Sequence, residues 1–570
     1  MIHIEGRKIV ADTLTQKIVF EGGRVVEITS KLDGKTYLQE SMEDLFPIQL
    51  RFSDNRFTEL TDKGEGAGGS ISVVRYNDHM VNVVMNGWYG HGELLIEEDI
   101  SNGAVCISPS AHTTLPEVRS CIYDLSGFAP ELELVLPLKQ GMKAGFDDEI
   151  FKWLPEPGVL DYPHTWEESF VAFASREGGI WIFNEGQRYR YKTLRIGGRL
   201  TPYGVGLETE NYGPLQGKLS AGGITWKINC YQGDWTVPVK NYKQILMKEP
   251  AWTEAKGTLP DWFDDIKLAY CWCPTDPAIL DTLKKYINPK NVLIHLSDWR
   301  TLPYDQGYPE YTASEAAKAF IQKGNDMGFH VAPHFNAFEI DPSVPEFELV
   351  RDFRYRSINE RRAQGWTWLP YTDEKTGRRV YTRLPEDNIA LRNSRHGNVM
   401  TKIHPALPAW RNLLLSNVKK AIDDNEIHVA FLDITLTTYN LFNAQVNDAT
   451  TMEGARELLT MAKKINGNLA IGGEGMNETL LCQSFAQGHS LFGPDEEMVP
   501  VEKYIPVNKI LYADLCHQVG YHGQLDFERK CMQDACDEKR GFVPTILGGD
   551  IYDLDEKNSI SKKILERAVD

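Results

Sequence analysis

The chain has no run approaching 18 apolar residues, so nothing in it reads as a membrane-crossing helix. Basic residues are in deficit: 61 Lys and Arg stand against 80 Asp and Glu, for a net charge of −19. That balance repels nucleic acid and anionic lipid and favours neutral or cationic ligands. Cysteine is scattered. Of nine, only Cys271-x-Cys273 and Cys531-x4-Cys536 are close pairs, and neither has a second pair at zinc-ribbon spacing. Reduced, buried thiols are the plain reading. The N-terminus, MIHIEGRKIV, has no basic segment followed by an apolar one. The chain as given therefore reads as cytoplasmic, whereas a mature form that had lost its leader would be periplasmic or secreted. There is no G-x-S-x-G elbow and no G-x4-G-K-[ST] phosphate loop, and no cofactor is expected.

What is present is the composition of a globular protein, 42% hydrophobic and 25% charged. At 570 residues the chain is too long for one core. Thirteen Trp and 24 Tyr belong mostly to core packing, although their flat faces also suit sugar rings. Up to residue 245 amphipathic helix is missing. Short runs of period two, such as KIVFEGGRVVEITSKLDGKTYLQ and SISVVRYNDHMVNVVMNG, alternate with Gly, Asn and Asp, which predicts an antiparallel β-sandwich. Gly64-Glu-Gly66-Ala-Gly-Gly69 matches a dinucleotide fingerprint, but a strand-like SISVVRY follows it where a helix is required. A hairpin loop is the expectation there.

After a linker at 246–261 the pattern changes. From 262 to 570 apolar strands alternate with amphipathic helices, which predicts a parallel sheet with crossover helices and, with eight units, a (β/α)8 barrel. The strand candidates are 266–273, 292–299, 330–336, 428–435, 469–475, 488–493, 509–517 and 543–549. A long insertion after the third, 337–407, is rich in aromatics and Arg and is expected to wall a substrate cleft.

Polar residues at the C-terminal ends of barrel strands face one mouth. The expected set is Asp298 and Trp299 after strand two, His334 and Asn336 on strand three, Asp433 on strand four and Glu474 on strand five. Asp514 and His517 follow on strand seven, and Asp550 after strand eight. This inventory of acids, His, Asn and Trp suits glycosidic-bond cleavage, in which two carboxyls divide the roles of nucleophile and proton donor. A strand-end Asp can equally cap a helix, and the glycines around Glu474 can mark a tight strand end as well as close approach by a sugar. A metal site is not expected. Strand one ends CWC where metal-dependent hydrolase barrels carry His-x-His, and His330 and His334 on one strand stand about 13 Å apart.

The order of HVAPHFN, HVAFLDIT, AIGGEGMNE and ILYADLCH resembles the α-amylase clan of glycoside hydrolases. With a galactose-mutarotase-like sandwich in front, the chain is more similar to the endo-α-N-acetylgalactosaminidase family and its gut-bacterial relatives. The resemblance implies a retaining α-glycosidase acting on an oligosaccharide or glycoconjugate, with Asp433 as nucleophile, Glu474 as general acid/base and Asp514 as the third acid, a role for which Asp550 competes. It also implies His334 and Asn336 as sugar ligands, and position at the barrel mouth adds Asp298, Trp299, His517 and Asp550 as substrate-binding candidates. A transglycosylase with the same residues and a catalytically silent sugar-binding barrel are the alternatives. One departure stands out: the clan's Arg two positions before the nucleophile is Phe431 here, with Arg300 as a candidate substitute.

Overall fold

The computed structural model describes residues 1–570 apart from 41–45, 60–69, 88–89, 199–200, 360–364, 373–378, 386–397, 468, 489–498, 521–526, 555, 557–558 and 570. The Gly64–Gly69 motif lies outside the described residues, as do 360–364, 373–378 and 386–397 of the expected insertion. The chain divides into two units, Met1–Lys248 with Ser490–Leu511, and Glu249–His489 with Tyr512–Asp570.

The first unit is antiparallel β-structure in three sheets. One has five strands in sequence order from Ile2–Glu5 to Thr36–Gln39, and the others have ten and six. The expected alternation is visible in Arg24–Ser30 and Gly90–Asp99, which bury roughly every second residue. Val118–Ser126 and Gly204–Glu210 are buried throughout. Their polar groups must therefore pair. Glu208 is fully buried and bonds Arg195 Nε at 2.6 Å, with Arg51 Nη1 at 3.5 Å and the Ser120 hydroxyl beside it. The late segment completes this unit: Ile505 N donates to Gly141 O (3.1 Å) and Asn508 N to Gln140 O (3.0 Å). Gly141 leaves no room for a side chain there, since a Cβ would come within 2.2 Å of Ile505 O.

The second unit is an eight-stranded parallel barrel. Its strands are β1 (Leu268–Cys273), β2 (Val292–Leu296), β3 (His330–Asn336), β4 (Val429–Asp433), β5 (Ala470–Glu474), β6 (Phe485–Gln487), β7 (His517–Val519) and β8 (Thr545–Leu547). They neighbour one another in that order and β8 pairs with β1. A parallel bridge from Val519 to Val543 joins the remaining edge. Helices cross between most strands: α1 (Ala278–Leu283), α2 (Glu315–Met327), α3 (Pro408–Asn425), α4 (Thr451–Lys463), α5 (Phe527–Arg540) and α6 (Ile560–Val569). Their ends are written in the sequence. Ser314 caps α2, which stops at Gly328 with φ 90°, and Thr450 and Glu453 form a capping box on α4. Between β3 and α3 runs a four-stranded antiparallel sheet that includes Glu339–Ile340 and Asn398–Lys402.

Two expected strands shift. Residues 478–487 read as a helix before a strand at 488–493, yet the sixth strand is Phe485–Gln487 and no helix precedes it. Residues 509–517 read as the seventh strand, but Val507–Tyr512 is helical and the strand begins only at His517. A short apolar run cannot by itself distinguish helix from buried strand.

Strand alternation sorts the barrel into two layers. Leu293, Ala332, Val429, Phe431, Ala470 and Phe485 pack together in its interior. Ile294, Leu296, Phe335, Leu432 and Ile471 point outward to the helices. Two residues beyond Leu293, Ala332, Phe431 and Phe485, in the same inward phase, lie His295, His334, Asp433 and Gln487, and Glu474 lies four beyond Ala470.

Candidate active site

Asp433 ends β4 and Glu474 ends β5. Leu432 pairs with Gly473 in register, so the two acids are next along adjacent strands. Both are followed by a left-handed residue, Ile434 at φ 59° and Gly475 at φ 66°. Glycine adopts that conformation freely, but in a β-branched residue it costs about 1–3 kcal/mol and marks a site that the surroundings hold in place. Here it aims the peptide of Ile434 across the strand gap, where Ile434 N donates to Glu474 Oε2 at 2.9 Å. Thr435 Oγ1 adds a bond to Glu474 O at 2.9 Å. Asp433 is 6% and Glu474 2% exposed, so both side chains are nearly dry.

Among the described residues no guanidinium holds Asp433. Arg300 donates to the carbonyls of Pro303, Gln306 and Glu310 and lies over the Tyr308 ring at 4.1 Å, so it organises its own loop. Instead, Asp433 Oδ2 accepts from Tyr304 OH at 3.3 Å and faces His334 Nε2 at 3.5 Å. Phe431 fills the barrel beneath, its ring 4.5 Å from that of His295 and 5.4 Å from that of His334. Behind His334 stand residues that the sequence reading missed. His295 Nε2 is 3.1 Å from His334 Nδ1, and Gln487 Nε2 is 3.1 Å from His295 Nδ1. Burial, with the neighbouring His334, keeps His295 neutral by pushing its pKa well below the usual imidazole range. Trp272, at φ 56° near the end of β1, and Tyr304 are half-buried and stand 5.6 Å apart between ring centres, forming an aromatic wall beside His334. Period-two reading of IHLSDW would have found His295, which is two residues from the inward Leu293.

The remaining expected residues fall elsewhere. Trp299 is fully buried among the helices, with Nε1 donating to His334 O at 2.7 Å, and faces away from the mouth. Asn336 is buried and used by its own turn: its amide donates to Glu339 Oε2 (3.0 Å), and its carbonyl accepts from Phe338 N and Glu339 N. Asp298 is exposed just beyond β2. Asp514 precedes β7, so it lies at the opposite, N-terminal end of the barrel, where its carbonyl accepts from Lys256 Nζ. His517 is at that end too. It donates to Phe263 O at 2.6 Å and stacks on the Phe263 ring, ahead of β1. The Asp550 side chain is outside the described residues. The glycines of β5 serve packing: a Cβ on Gly472 would stand 2.3 Å from the Phe485 ring, and one on Gly473 2.1 Å from Gln483 Oε1. Among the described residues no three His, Cys, Asp or Glu groups converge as a metal site.

A family model described as a domain of unknown function, DUF6259, matches residues 224–447. Among curated proteins none matches the chain by sequence. Among solved structures, the α-N-acetylgalactosaminidase NagBb from Bifidobacterium bifidum in complex with GalNAc aligns with TM-score 0.60 at 13% identity, over 91% of this chain and 84% of that one. The ligand-free form of NagBb aligns at 0.59 and 12% identity, over 95% and 92%. The GH36 α-galactosidase AgaB from Geobacillus stearothermophilus aligns at 0.48 and 8% identity, over 100% and 86%. At such identities the likeness to NagBb is one of fold.

Proposed function

We propose that the barrel is a glycoside hydrolase that cleaves an α-glycosidic bond with retention, using Asp433 as nucleophile and Glu474 as general acid/base. The observation that carries this reading is the placement of two nearly buried carboxylates at the mouth ends of adjacent parallel strands, linked through one peptide group. Neighbouring strands stand about 4.8 Å apart, a spacing from which two side chains can reach the roughly 5–5.5 Å carboxyl separation of direct attack on the anomeric carbon. Asp433 Oδ2 is oriented by Tyr304 OH and His334 Nε2. Glu474, the more enclosed of the two, takes the role of proton donor to the leaving oxygen. Trp272 and Tyr304 offer a flat face to a sugar ring, and Asp298 stands at the rim as a hydroxyl ligand. The overall likeness to NagBb makes α-linked N-acetylgalactosamine the first sugar to test.

The assay is hydrolysis of aryl α-N-acetylgalactosaminide and aryl α-galactoside, with the first-formed anomer read by NMR. Retained α-product is expected. Asp433→Asn should lower turnover by about a thousandfold or more. Glu474→Gln should spare substrates with good leaving groups, which need little protonation. Release of the β-anomer, or full activity in Asp433→Asn, refutes the assignment. A longer product on adding acceptor sugar would identify a transglycosylase.

A further inference from the structure

Four side chains on four strands form a chain across the barrel interior: Gln487 on β6, His295 on β2, His334 on β3 and Asp433 on β4. The direction of the chain follows from which groups can only donate. His295 Nδ1 receives the backbone N–H of Trp272 at 3.3 Å. A peptide N–H has no other role available, so Nδ1 of His295 carries a lone pair. The Gln487 amide nitrogen approaches the same atom at 3.1 Å and also reaches Cys271 Sγ at 3.4 Å. With Nδ1 accepting and the ring neutral, the one proton of His295 sits on Nε2. It is donated to His334 Nδ1 at 3.1 Å. His334 Nδ1 is thereby an acceptor in turn, and its own proton is driven to Nε2. That atom is fully buried, has no closer partner among the described residues, and faces Asp433 Oδ2 at 3.5 Å.

We propose that the Trp272 amide, Gln487, His295 and His334 form a one-way hydrogen-bond relay that fixes the tautomer of His334, so that the neutral ring always presents an N–H to Asp433. The relay does the work of a guanidinium without a buried positive charge. His334 is a positioning residue: with Tyr304 OH it orients Asp433 Oδ2 by donation alone. The left-handed turn at Trp272 belongs to the device, because it points that peptide N–H into the barrel. The consequence for the proposed hydrolase rests on Asp433 being the nucleophile, but the relay itself does not.

The test is long-range proton–nitrogen NMR on the whole chain with 15N-labelled histidine, the two signals being assigned by their loss in His295→Gln and His334→Gln. Protonation at Nε2 alone in both rings at neutral pH is expected. Gln487→Glu is nearly isosteric but only accepts. It should pull a proton onto His295 Nδ1, and either charge that ring or reverse both tautomers, while Gln487→Leu should leave both signals unchanged because the Trp272 amide remains. A proton on His334 Nδ1 in the wild type, or a Gln487→Glu spectrum identical to wild type, overturns the relay. These spectra are read without substrate, so absence of glycosidase activity would count against the proposed function and leave the relay standing.

Discussion

Replacing Gly472 by alanine tests the placement of the sixth strand. Gly472 pairs in register with Phe485, and an added Cβ would lie 2.3, 2.4 and 2.5 Å from three carbons of that ring. Ordinary contact begins near 3.5 Å, so the ring must retreat by about 1 Å. It has nowhere to go, because Phe485 is 2% exposed in an interior shared with Phe431, Ala470 and Ala332, and protein interiors are packed like crystals. Overpacking of this kind costs about 1–3 kcal/mol, and three simultaneous clashes place Gly472→Ala at the upper end. The measurement is urea unfolding by fluorescence, with hydrogen exchange of the β5 peptide to locate the loss. Phe485→Leu relieves the contact. The double variant should therefore be more stable than the sum of the single changes predicts by at least about 1 kcal/mol. Were the sixth strand at 488–493, Phe485 would lie in a helix and the methyl would meet nothing of consequence. A Gly472→Ala protein within about 0.5 kcal/mol of wild type, or strict additivity in the pair, refutes the packing.

Burial holds His404 at a pKa of about 4. Its folded value lies below the unfolded one, so stability is unaffected above about pH 6.5. It falls as pH drops from there to 4, by on the order of 3 kcal/mol, and His404→Gln should flatten that part of a stability–pH curve. Glu208→Gln leaves Arg195 and Arg51 without their buried counter-charge and should destabilise the first unit by about 3–5 kcal/mol, visible as an earlier thermal transition. The Arg195, Arg51 and Arg119 charges outweigh burial and keep Glu208 well below the usual carboxylate range, so its contribution persists above the unfolded pKa near 4.3 and is lost only under strong acid. Alkylation at pH 8 should reach Cys531 first, since it is partly exposed while Cys271 is buried with its thiol pushed up to about 12. Early labelling of Cys271 would contradict the enclosed barrel interior.

Much of the architecture was legible because periodicity reports it directly. The switch from period two to alternating strands and amphipathic helices fell near residue 250, and Asp433 and Glu474 were readable as apolar runs ending in an acid. What escaped had physical causes. Val507–Tyr512 is an apolar stretch too short to show its period, so Asp514 was expected at the mouth and lies at the opposite end. Trp299 lies three residues past the end of β2, where alternation no longer applies, and packs among the helices, and a local turn consumes Asn336. His295 and Gln487 matter through each other, and no linear pattern joins residues 192 positions apart.

The docking of Ser490–Leu511 onto Met1–Lys248 sets the order in which this protein can be assembled. As the chain leaves the ribosome, the opening 248 residues are made first, yet the strip that bonds Gln140 and Gly141 appears only after six of the eight barrel strands. The early unit must wait with that edge uncovered, and the last two barrel strands are made only after the strip. The two units are interleaved along the sequence, and neither is a piece that a single cut of the gene can release intact.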